Sequence, residues 1–103
     1  MNGDFFHTEK LLDYYKRQIW KMLVLFENKD EYGYKHAMRI HSELKKIPQI
    51  IPELKGNHKL SVVILKVGVL VDKLKSLDGE HWFVKNHTME SLNLIDEILE
   101  DLK

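Results

Sequence analysis

A chain of 103 residues with 44% hydrophobic and 31% charged residues supports one core and no more, so residues 1–103 are expected to form a single domain. Sixteen Lys and Arg balance sixteen Asp and Glu, which removes any global field drawing the chain to nucleic acid or a membrane surface. Without cysteine there is no disulfide framework, thiolate metal site or cysteine nucleophile. The start MNGDFFHTEK lacks the basic and apolar regions of a secretory signal, which makes a cytoplasmic location the expectation.

Charge is distributed less evenly than the total suggests. Residues 1–60 hold 11 Lys and Arg against 8 Asp and Glu, whereas Glu90, Asp96, Glu97, Glu100 and Asp101 face only Lys103 near the C-terminus.

The first predicted helix runs from about Asp4, a plausible N-cap, to about Asn28. At about 100° per residue, Phe5, Leu11, Leu12, Tyr15, Ile19, Met22, Leu23 and Phe26 share one broad stripe. Phe6, Trp20 and Val24 form a narrower stripe beside it, so this helix should touch two neighbours. The second helix is expected from Asp30 to Ile47, where Pro48 forbids continuation, with Tyr34, Ala37, Ile40, Leu44, Ile47 and His41 in its apolar arc. IPQIIPELKGN then reads as a connector containing one helical turn and closed by Gly56 and Asn57.

HKLSVVILKVGVLVDKL is rich in β-branched residues and resembles a buried strand by composition. Strict alternation is absent, and Lys59, Lys66 and Lys73 recur every seven residues, which stacks them on one line of a helix. A helix from Asn57 as N-cap to about Leu77 follows, ended by Asp78–Glu80. The last helix is predicted from Thr88, a candidate N-cap, to Leu102, with Ser91, Leu92, Ile95, Ile98, Leu99 and Leu102 inward. Whether residues 80–87 belong to that helix stays open, because Asn86 and His87 could break it. Four helices with short connections predict an all-α, antiparallel four-helix bundle with a Pro-containing connector between helices 2 and 3.

No pattern for catalysis emerges. Phosphate loops, Gly-x-Ser-x-Gly elbows and dinucleotide fingerprints are absent, so a non-enzymatic protein without cofactor is expected. Of the six histidines, His36 and His41 lie five apart and His81 and His87 six apart, spacings that do not aim two rings at one metal ion. The His-x-Leu-Lys-Gly pattern of histidine phosphotransfer helices is missed at its chemical residue, since Pro52 precedes Glu53, Leu54, Lys55 and Gly56. His41, inside an apolar arc, and His58, beside Lys59 and Leu60, are the histidines kept for a phosphotransfer or metal-binding alternative. Lys35, His36, Arg39, Lys45 and Lys46, with Tyr32 and Tyr34, suggest nucleic acid more weakly, because Glu31 and Glu43 interrupt them and the cations look spread round the helix.

The third helix has apolar surface to spare. Leu60, Val63, Ile64, Val67, Leu70, Val71 and Leu74 suffice for a core face, yet Val62, Leu65 and Val69 form a second arc across the lysine line. With Trp20 or Trp82 these residues are the candidate interface, for an unknown protein partner or a second copy of the chain in a homodimer. The expected function is that of a helical interaction module: a regulator, inhibitor or immunity-type protein.

Overall fold

A computed structural model describes residues 2–76 and 80–103, with side chains from His7 onward. Among the described residues there are four α-helices and no strand: α1 (Asn2–Glu27), α2 (Tyr32–Ile50), α3 (His58–Ser76) and α4 (His81–Leu102), with a 3-10 turn at Pro52–Leu54. Each helix packs chiefly on its two sequence neighbours, and α1 closes the ring on α4. Side-chain pairs fix the directions. Lys59 reaches Asp101 while Lys66 reaches Glu90, so α3 and α4 run oppositely. Tyr15 with Glu43 and Gln18 with His36 give the same relation for α1 and α2, and Lys16 with Asp96 and Glu27 with His81 give it for α1 and α4. His41 over Gly68 and Gly33 beside Leu74 complete an antiparallel four-helix bundle. The 26-residue α1 is about 39 Å long at 1.5 Å per residue, close to the 44 Å long dimension of the molecule.

The core follows the predicted stripes. Leu12, Ile19 and Met22 of α1 meet Ile40 and Leu44 of α2, Val63, Val67 and Leu70 of α3, and Val84, Ile95 and Ile98 of α4. Leu25, outside the predicted stripe, is also buried, and its Cβ would lie 3.2 Å from a Cβ on Gly33. Gly33 therefore marks a close approach of α1, α2 and α3. The predicted contributions of Phe5 and Phe6 lie outside the described side chains, and Leu77 and Asp78 lie outside the described residues.

Helix ends differ from expectation in four places. Asp4 is not an N-cap, because α1 begins at Asn2. The second helix starts at Tyr32 instead of Asp30, and Asp30 caps from outside by accepting the Tyr32 N–H at 2.9 Å. Pro48 does not stop α2, which continues to Ile50. A proline in the last turn forfeits only its own bond to the i−4 carbonyl, and the Ile51 N–H closes the turn on Ile47 at 2.8 Å. Thr88 is likewise no N-cap. It sits mid-helix with its hydroxyl on the Val84 carbonyl at 2.8 Å, and α4 runs unbroken through Asn86 and His87 from a start beside Glu80. Asn57 does cap α3, its Oδ1 accepting the Leu60 N–H at 2.9 Å.

Candidate interaction surface

The heptad lysines of α3 lie on its α4 side. Lys59 pairs with Glu97 and Asp101, Lys66 with Glu90, and the Lys73 ammonium stands 5.1 Å from the Phe83 ring centroid. These pairs set a register in which Val69 lies level with His87 and Val62 level with Leu94. Val62 and Val69 are half-buried beside the lysine line, and Leu65 beyond them is 70% exposed. Towards the α4 N-terminus, Phe83 stacks on His87 with centroids 4.3 Å apart, and Trp82 meets Phe83 edge-on at 5.9 Å. Trp82 is 59% exposed, with its indole N–H turned back to Glu80.

Four of the five candidate interface residues thus border one face, the outer side of α3 and α4, with Leu65 midway along it and Trp82 at one end. Trp20 does not join them. Lys16 and Glu27, on the same side of α1 as Trp20, reach Asp96 and His81, so Trp20 lies on the α1–α4 flank, across α4 from Leu65.

The histidines divide differently from expectation. His41 is half-buried and covers Gly68, where a Cβ would come within 3.2 Å of its Nε2. Burial, helped by the charge of Lys45, lowers its pKa from the ordinary 6.5, against the raising effect of the nearby Ile64 backbone. His36 is the deeper of the two, at 1% exposure. Its Nε2–H donates to the Gln18 carbonyl at 3.0 Å, which leaves Nδ1 as a buried acceptor without a partner. Burial again lowers its pKa, helped by Lys21 and Arg39. His58 is exposed at the first position of α3. His36 and His41 serve two different neighbours, α1 and α3, and this is the geometric meaning of their five-residue spacing.

His36 escaped the sequence reading because it was counted among the cations of α2, although it stands one turn before Ile40 on the buried side. On α2 the spacing sets Lys35, Arg39 and Lys46 on one side and Lys45 on another. Among the described residues no group of three His, Asp or Glu side chains could hold a metal ion. No described helix is long and apolar enough to cross a membrane. Comparison with protein-family models, curated proteins and solved structures returns no match for the chain.

Proposed function

We propose that the protein is a small non-enzymatic helical interaction module of the cytoplasm, acting as a regulator, inhibitor or immunity-type protein by occupying a surface on a partner protein. The observation that carries this reading is the exposure of Leu65 and Trp82 on one outward face, beside the half-buried Val62 and Val69. Single exposed leucines are ordinary on protein surfaces; an aliphatic arc with an exposed tryptophan on the same face suits the apolar, aromatic-enriched core of an interface. A tryptophan held edge-on by Phe83, itself stacked on His87, loses little freedom when a partner covers it.

Its test compares wild-type protein with Leu65→Asp and Trp82→Ser in affinity capture from the native cell, with melting curves as the folding control. Loss of one discrete co-purifying protein in both variants, at unchanged stability, supports the reading. Capture unaffected by either change sinks it. A homodimer on the same face would show instead as a concentration-dependent mass in sedimentation that Leu65→Asp abolishes. Phosphotransfer or metal binding at His41 or His58 remains the chemical alternative, and function lost in His58→Ala would favour it.

A further inference from the structure

We infer that the seam between α1 and α2 is a second docking surface, which takes an acidic segment of a partner protein. The register set by Gln18 with His36 and Tyr15 with Glu43 brings Arg17 level with Arg39 and Lys21 level with Lys35. Like charges therefore lie level with one another twice along the seam, an arrangement that supplies no ion pair between the two helices. The side-chain spacing is the same on both helices. Tyr14, Arg17 and Lys21 follow i, i+3, i+7 on α1, and Tyr32, Lys35 and Arg39 do so on α2, so each set occupies one side of its helix. Because the helices are antiparallel, the four cations are bracketed by a tyrosine at either end.

Pairing within the chain accentuates this group. Glu90, Asp96, Glu97, Glu100 and Asp101 of α4 are all matched by lysines. Arg17, Lys21 and Lys35 have no ion-pair partner among the described residues, and Arg39 has only Glu43 at 3.9 Å. Glu43 lies in the seam and already accepts the Tyr15 hydroxyl at 2.9 Å, while Asp13 and Glu31 stand one turn before Arg17 and Lys35 without an ion pair to either. Both Lys21 and Arg39 act on His36 beneath them, which places their charges together over the same buried ring. Tyr14 is 37% exposed and rests edge-on against Tyr15; Tyr32 is 54% exposed.

Arginines bind carboxylates through paired N–H groups, and tyrosine with arginine is the composition of interface hot spots. A nucleic-acid backbone fits less well, because proteins that bind it carry a basic excess over the whole domain and this chain has a net charge of zero. The surface is separate from the outer side of α3 and α4, so either can fail without the other.

The test is fluorescence anisotropy of the full chain with a labelled oligoglutamate peptide and, in parallel, a labelled oligothymidylate. Binding of the peptide at about 50 mM salt, weaker at about 200 mM, is expected. Arg17→Ser with Arg39→Ser should lower that affinity by about tenfold or more, while Lys85→Ser on α4 leaves it unchanged. Both variants should melt as wild type does. No peptide binding at low salt, equal losses in the two variants, or tighter binding of the oligothymidylate than of the peptide would each overturn the proposal.

Discussion

His36 and His41 join α2 to both of its neighbours, His36 by donating to the Gln18 carbonyl of α1 and His41 by packing over Gly68 of α3. A carbonyl can only accept, so the His36 ring presents an N–H to Gln18, and burial disfavours the charged form of both rings in the folded chain. The sign of the pH effect follows. Above the ordinary value of 6.5 neither state takes up a proton and the full stability is present. As pH falls from 6.5 towards the lower folded values, the unfolded chain protonates first and stability declines, by up to about 1.4 kcal/mol per pH unit for each histidine. Urea unfolding at a series of pH values should show this slope, reduced in His36→Gln with His41→Gln; equal slopes in both proteins would remove the histidines from the account. The sequence revealed His41, whose apolar arc is plain. His36 lies in the same periodic stripe, one turn before Ile40, but its basic side chain groups it by chemistry with the neighbouring Lys35 and Arg39.

At the scale of the element, stripes were legible and ends were not. Core stripes depend on side-chain chemistry repeating over many residues, so α1, α3 and the second half of α4 could be read directly. Ends depend on one or two local bonds. Pro48 was misread because its cost falls steeply in a last turn, and Thr88 because a hydroxyl that caps a helix can equally bond the i−4 carbonyl inside one. The α1 terminus holds a further example. Lys29 adopts φ 52°, with its N–H on the Phe26 carbonyl and the Asp30 N–H on that of Leu25, a left-handed closure that glycine makes without strain. Lys29→Gly is expected to raise stability by about 1 kcal/mol, and a lowered melting temperature would contradict this. Asn57→Ala should cost about 1 kcal/mol through loss of the bond to the Leu60 N–H. Thermal unfolding of the two variants should shift in opposite directions.

The whole molecule is a ring of four antiparallel helices whose surfaces are not equivalent. The outer side of α3 and α4 combines matched charges with exposed Leu65 and Trp82, while the α1–α2 seam gathers four cations of which only Arg39 has an ion-pair partner among the described residues. Bundle and connector followed from helix count and loop length. The surplus arc of Val62, Leu65 and Val69 was legible too, since a helix apolar on two sides has more such surface than one core can take. The place of Trp20 was not, because only the pairing of α1 with α4 shows that it lies on another flank. Destabilisation is expected to separate core from surface. Ile95→Ala should cost about 2–5 kcal/mol, whereas Leu65→Asp should leave urea unfolding within about 0.5 kcal/mol of wild type. The central claim, that the outer side of α3 and α4 is covered by a partner protein, is tested most directly by site-specific photo-crosslinking in the native cell. A photoreactive benzoylphenylalanine would replace Leu65 in one sample and the exposed Lys55 of the connector in another. A discrete crosslinked protein from position 65, absent from position 55, is the predicted result; no crosslink from position 65, or the same product from both, would contradict it.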